Sequence, residues 1–159
     1  MIKVHDKIYV GDSRIARALP SSNWSFVNVS SKYHYELHGW QKGFKYADDP
    51  CYITCEKDNF MSVNWIDASA QFYDWQGKGV ETFIKVLDFI EKQDKQVYIF
   101  CDKGHSRSPS VALLYLSKRL RVIPSDSFEA AKEEFLKLYP MYEPGGIKDF
   151  ITSHWEEIV

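Results

Sequence analysis

The stretch from residue 96 to residue 120 limits what this chain can fold into more than any other. Gln96-Val97-Tyr98-Ile99-Phe100 is β-branched and aromatic almost throughout, the composition of a buried strand. A loop with a single glycine follows. Residues 108–120 are then apolar nearly all round, through Val111, Ala112, Leu113, Leu114, Leu116 and Leu120, with Pro109 in the first turn, where a helix tolerates it. A helix without a polar face belongs at the centre of a fold, and a buried strand leading straight into it calls for a layered α/β domain. The chain can fill such layers: of its 159 residues 45% are apolar, and 5 Trp, 10 Tyr and 10 Phe supply a large aromatic core.

The remaining segments alternate in the same way. Ile8-Tyr9-Val10, running into Gly11-Asp12, is predicted as an edge strand, with a short helix over residues 15–18 stopped by Pro20. Residues 26–30 and 63–67 read as two further strands. Val80, Phe83, Ile84, Leu87, Phe89 and Ile90 largely share one helical face. Another helix is expected from about Pro124 to Leu138, and a last one from Gly146, striped with Ile147, Phe150, Ile151, Trp155 and Ile158. Residues 31–60 read as a long excursion with one strand over residues 51–54, either a recognition loop or a cover for a sheet edge. No repeat or linker divides the chain. Residues 1–159 are therefore expected to form one α/β domain, with a central, mostly parallel sheet of four to five strands flanked by helices.

The loop that joins the buried strand to the buried helix carries the chemistry. It reads Cys101-Asp102-Lys103-Gly104-His105-Ser106-Arg107-Ser108. Backbone N–H groups at a helix start lack helical partners, and with the helix dipole they make an anion cradle. Gly104 allows a tight turn and keeps a side chain out of the anion's way. Arg107 offers a planar fork to two phosphate oxygens; a cation at a helix N-terminus is disfavoured unless an anion joins it. Cys101 stands at the bottom of the cradle, where a positive field favours the thiolate, the nucleophilic form. Lys103 and His105 fall at the loop tip, either reaching substrate or simply solvated.

This Cys-x5-Arg-Ser unit, placed strand–loop–helix, resembles the active-site loop of the cysteine-dependent protein tyrosine phosphatases. Gly104-His105-Ser106-Arg107-Ser108-Pro109-Ser110 is most similar to the dual-specificity branch. The likeness covers most of the chain: Asp6-Lys7-Ile8-Tyr9-Val10-Gly11 is similar to that family's opening strand and Val27-Asn28-Val29 to its second. Tyr139-Pro140, Glu143-Pro144-Gly145-Gly146 and Phe150 are similar to its last helical pair. The resemblance implies a phosphotyrosine-phosphatase-like fold and hydrolysis of phosphomonoesters, on protein tyrosine and on serine or threonine, through a phosphocysteine. It implies that Cys101 attacks phosphorus and that Asp102, Lys103, Gly104, His105, Ser106 and Arg107 surround the phosphoryl group. Ser108 would steady the departing sulfur, with a helix N-cap as its alternative role. It also implies a general acid near the end of the preceding sheet strand, some thirty residues upstream. Asp67, 34 positions before Cys101, is the candidate, provided its strand lies parallel beside the Cys101 strand; Asp74, 27 before, is the competitor. No metal ion or cofactor is implied, since the loop supplies the positive field. A phosphorylated protein or peptide is the expected partner, and the protein is expected to be a monomer.

The family usually places histidine immediately before the nucleophile, and here Phe100 stands in its place. Weaker activation of the thiol is expected. The departure keeps open a weakly active or inactive phosphate-binding module. Five basic side chains (Lys103, Arg107, Lys118, Arg119, Arg121) against Asp102 within residues 101–121 also leave room for a phosphoinositide or an RNA 5′-triphosphate as substrate. The chain as a whole, at net charge −2, gives no ground for general binding to nucleic acid or an anionic membrane. No apolar run approaches the roughly 18 residues of a membrane span, and residues 1–6 lack the apolar core of a signal peptide. Three cysteines, an odd number, point to free thiols and a cytoplasmic location. Cys51 and Cys55, spaced Cys-x3-Cys, read as bystanders or as guards of Cys101 against over-oxidation, and the five histidines are too scattered to suggest a metal site. No Gly-x4-Gly-Lys-Ser/Thr pattern occurs, and the Arg107-Ser108 pair argues against a rhodanese-like sulfurtransferase.

Overall fold

The aromatic, β-branched run that ends at Cys101 becomes the spine of a sheet. A computed structural model describes residues 1–44 and 46–159. Among them the strands are β1 (Ile2–His5), β2 (Ile8–Asp12), β3 (Trp24–Asn28), β4 (Thr54–Lys57), β5 (Phe60–Val63) and β6 (Gln96–Cys101). The helices are α1 (Ser13–Ala16), α2 (Ser31–His38), α3 (Gly79–Lys92), α4 (Arg107–Leu114), α5 (Phe128–Leu138) and α6 (Gly146–Ser153). The sheet order is β1-β2-β6-β3-β5-β4. The four central strands are parallel, and an antiparallel strand closes each edge. The fold is thus α/β with a mostly parallel central sheet flanked by helices, as expected, but with six strands rather than four or five.

Alternation along β6 divides the core in two. Val97, Ile99 and Cys101 face the larger layer, made with Phe83, Leu87 and Ile90 of α3, Val111–Leu114 of α4, Phe135 of α5 and Ile147 and Phe150 of α6. Tyr98 and Phe100 face a smaller aromatic layer with Ala16 after β2 and Trp24 and Phe26 of β3, packed by Tyr33 of α2. Each fully buried aromatic in these layers contributes about 1.5–3 kcal/mol relative to exposure.

Several expected boundaries move. Ile8–Asp12 is not an edge, because β1 pairs with its outer side. The strand expected over residues 63–67 is instead Phe60–Val63. Its ladder stops where the Trp65 N–H turns back onto the Val63 carbonyl and the Trp65 ring drops between Tyr73 and Phe83. Nor does it adjoin the Cys101 strand, since β3 lies between them. The strand expected over residues 51–54 starts at Thr54 and runs to Lys57. The helix expected from Pro124 begins at Phe128, where the Ser127 hydroxyl caps the Ala130 N–H. The apolar helix after the loop widens into a π-turn over Tyr115–Arg119, with the Leu120 N–H bonding back to Tyr115. Within residues 31–60 lies a helix the apolar pattern does not reveal: α2 buries a single side chain, His34, and is started by the Ser30 hydroxyl accepting from the Tyr33 N–H. No helix of the described residues is long and apolar enough to cross a membrane.

Candidate active site

Cys101 ends β6 at 2% exposure, and residues 102–106 form the loop into α4. The loop is gripped from three sides. At Gly104, φ is +73°, and a Cβ there would stand 2.9 Å from the carbonyl carbon and oxygen of Gly11. Glycine is required by β2 behind the loop rather than by an anion in front of it. The Tyr139 hydroxyl donates to the Gly104 carbonyl at 2.7 Å. The Glu143 N–H donates to the His105 carbonyl at 2.8 Å, and the Gly145 N–H to Ser106 Oγ at 3.0 Å. The segment between α5 and α6 therefore clamps the loop. At neutral pH the clamp is a reliable donor, because burial pushes the Tyr139 phenol up to about 12.

Arg107, at 4% exposure, is the first residue of α4 and is aimed by one partner distant in sequence and one within the loop. One terminal nitrogen donates to the Trp65 carbonyl at 2.7 Å, and the other to Asp102 Oδ2 at 3.1 Å. The remaining Asp102 oxygen accepts from the Ser30 hydroxyl. Its Nε is buried and has no partner among the described residues. Two of the three guanidinium nitrogens thus fix the plane, and the third is a donor that an anion would satisfy. Asp102 lines the same cavity, with its carboxylate bonded to Arg107 and Ser30. Ser106 starts the helix with no side-chain cap, so the first N–H groups of α4 stay available.

Ser108 is not an N-cap; it lies inside α4. Its Oγ is 3.2 Å from Cys101 Sγ and 3.1 Å from the Gly11 carbonyl, which accepts from it. With the hydroxyl proton on the Gly11 carbonyl, Oγ accepts from the Cys101 thiol; a thiolate instead competes for that proton more strongly than a neutral carbonyl does. Phe100 points to the opposite face from the thiol, where its ring meets Tyr33 at 5.1 Å, edge to face, and Tyr98 at 5.7 Å, stacked.

Asp67, Cys101, Lys103, His105 and Arg107 line one cavity of about 510 Å³, and Glu143, Pro144 and Gly145 form a wall that the sequence reading left unassigned. Lys103, His105 and Asp67 are exposed at its rim. Gly146 holds the Asp67 turn close, since a Cβ there would overlap the Ala68 carbonyl oxygen at 2.1 Å. Asp74 does not line the cavity. Its Oδ1 accepts from the Gly79 N–H at 2.9 Å, at the start of α3. The sequence does not mark Ser30, Trp65 or Tyr139 as supporting groups; Tyr139-Pro140 enters only through the likeness to the family's last helical pair.

The chain thus gathers a buried thiol at a strand end, a loop leading into a helix start, a buried arginine and a carboxylate at the rim around one cavity. No protein-family model and no curated protein matches the sequence, but solved structures match nearly all of the chain. DUSP15 superposes with a TM-score of 0.63 at 12% identity, covering 98% of this chain and 86% of that one. Human DUSP28 gives 0.61 at 19%, covering 98% and 92%, and Tk-PTP in its active form gives 0.60 at 14%, covering 99% and 96%. The protein has the fold of the dual-specificity phosphatases.

Proposed function

We propose that the protein hydrolyses phosphomonoesters of proteins, phosphotyrosine and phosphoserine or phosphothreonine, through a phosphocysteine on Cys101. The observation that carries this reading is the buried Arg107 guanidinium, fixed by Trp65 and Asp102 and left with an unpartnered Nε, on the cavity that Cys101 also lines. In this mechanism the phosphoryl oxygens lie on the loop N–H groups and Arg107, which gain strength as charge moves onto them. Cys101 Sγ forms the bond to phosphorus while the ester oxygen leaves and takes a proton from the Asp67 carboxyl. Asp67, now a carboxylate, takes a proton from water as the water attacks the phosphocysteine. Inorganic phosphate leaves, and the Ser108 hydroxyl turns from Gly11 to the freed thiolate. Lys103 and His105 at the rim meet the part of the substrate outside the cradle.

The test is Cys101→Ser with an aryl phosphate and with phosphotyrosine and phosphothreonine peptides. Turnover is expected in the wild type and none in the variant, while vanadate or phosphate still binds both. Wild-type-like turnover in the variant overturns the covalent mechanism; absence of turnover by the wild type on every ester overturns the enzymatic reading.

A further inference from the structure

Away from the Cys101 cavity, the fold draws together three groups that the chain keeps apart. A ring nitrogen of His38, Cys51 Sγ and Cys55 Sγ all lie within 4.8 Å of one another. His38 is the last residue of α2, Cys55 lies in the edge strand β4, and Cys51 stands in the segment leading into it. One of the five histidines thus joins the two cysteines in space. Both cysteines are free thiols; their sulfurs are 2.8 Å apart, well beyond the roughly 2.05 Å of a disulfide.

Each of the three is held by its backbone or its ring. His38 Nδ1 lies 2.8 Å from the His34 carbonyl oxygen, so Nδ1 carries the proton and the lone pair is on Nε2. A hydrogen bond of this kind from one ring nitrogen is the usual support of an imidazole that binds a metal through the other. The ring is stacked on Trp40 at 4.3 Å, and Trp40 on Tyr46 at 4.7 Å. The Cys51 carbonyl accepts from His34 Nε2 at 2.8 Å, and the Cys51 N–H donates to Asp49 Oδ1 at 2.8 Å. The C-terminal end of α2, where His38 sits, adds a partial negative charge that favours a cation.

We propose that His38, Cys51 and Cys55 form a site for a soft divalent transition metal, zinc foremost, with two thiolates and one imidazole as ligands and water completing a tetrahedron. Two sulfurs and a nitrogen are the donor set that selects zinc over magnesium or calcium, and Cys-x3-Cys falls within the spacing such sites use. Binding is a proton exchange with no redox change: each thiol releases its proton to solvent, and the two thiolates neutralise the ion. With sulfur–zinc bonds of about 2.3 Å at the tetrahedral angle, the sulfurs stand about 3.8 Å apart, so a side-chain rotation that parts them by roughly 1 Å opens the pair to receive the ion. The role is structural. The described residues between α2 and β4 form no helix or strand, and a metal there ties the helix end to the sheet edge.

The site is separate from the nucleophile. Cys55 pairs with Ser62, Ser62 with Asn28 and Asn28 with Phe100, so three strand spacings, about 14 Å, lie between the β4 and β6 backbones. That distance also removes Cys55 as a disulfide partner that could guard Cys101.

The test uses the full chain carrying Cys101→Ser, so that Cys51 and Cys55 are the only thiols. The protein is reduced, stripped of metal and titrated with cobalt(II) and then zinc chloride. One equivalent of cobalt is expected to give the ligand-field and sulfur-to-cobalt charge-transfer bands of a tetrahedral two-thiolate site, and zinc to displace it. Zinc at a hundredfold excess over its Kd is expected to raise Tm by about 5–10 °C. Cys51→Ser is expected to abolish the bands. His38→Phe, which keeps a ring against Trp40 but offers no lone pair, is expected to weaken binding at least tenfold; circular dichroism and a melt confirm that each variant is folded. Absence of the bands in the reduced protein, or undiminished binding by folded His38→Phe, overturns the proposal. So does a Cys51–Cys55 disulfide that persists under reductant with no zinc uptake.

Discussion

Asp67 and Asp74 separate activity from stability in opposite ways. Asp67 is exposed at the cavity rim and makes no hydrogen bond or ion pair among the described residues. Its replacement by Asn is expected to change stability by less than about 0.5 kcal/mol. The same change removes the proton donor, which is expected to lower kcat on alkyl or weakly acidic aryl phosphates by roughly 10²–10⁴, about 2.7–5.5 kcal/mol of barrier. Nitrophenyl esters, whose leaving groups need little protonation, are expected to lose far less. Asp74 instead holds the first N–H of α3 at 2.9 Å. Asp74→Ala is expected to cost about 0.5–2 kcal/mol, a fall in Tm of roughly 1–8 °C, with the dependence on leaving group intact. The assay is kcat/KM across a series of aryl phosphates of graded leaving-group acidity, with melts of both variants. A leaving-group-dependent loss in folded Asp74→Ala and none in Asp67→Asn refutes the assignment.

Tyr139→Phe removes the donor to the Gly104 carbonyl and leaves a buried acceptor unpaired. Stability is expected to fall by about 1–3 kcal/mol and phosphate affinity to fall with it, read by urea unfolding and by inhibition. Ser108→Ala is expected to slow dephosphorylation of Cys101 more than its phosphorylation, so that rapid mixing shows a burst followed by a steady rate reduced roughly 10–100-fold; no burst contradicts the role given to its hydroxyl. Burial raises the phenols of Tyr73, Tyr98, Tyr139 and Tyr142 above their unfolded value. Their neutral forms therefore stabilise the native state fully below about pH 10, and that stability is lost as pH climbs through 10 to 12 and beyond. Tyrosinate absorbance is expected to appear together with the loss of near-ultraviolet dichroism, and ordinary titration of all ten tyrosines in a still-folded protein would contradict this.

The strand–loop–helix unit was legible because its chemistry is consecutive in sequence: Cys101, Gly104, Arg107 and Ser108 lie within eight positions, and their order sets their geometry. What aims Arg107 is not legible, since the Trp65 carbonyl reaches it from beyond β5 and the Asp102 carboxylate is itself held by Ser30 at the start of α2. Asp67 is singled out by the resemblance together with its spacing from Cys101. It lines the cavity that Cys101 lines, although its strand is shorter and one position further across the sheet than expected. α2 escaped notice because a helix that buries one histidine leaves no apolar stripe to read. The grouping of His38 with Cys51 and Cys55 depends on a helix end meeting an edge strand, which periodicity does not encode.

The wall behind the loop is supplied by the first dozen residues of the chain. Ser108 Oγ reaches the Gly11 carbonyl across 97 positions, and the Tyr98 hydroxyl reaches the Asp12 carbonyl across 86. Contacts of such separation are the costly ones to close from an open chain, whereas α4 and the turn before it are local and quick to form. A folding chain that has built β6 and α4 but not yet docked its N-terminal hairpin carries Cys101 on a bare sheet edge, with Gly104 unsupported. The time course of Cys101 alkylation after dilution from denaturant therefore clocks the docking of the hairpin, the step on which completion of the loop depends.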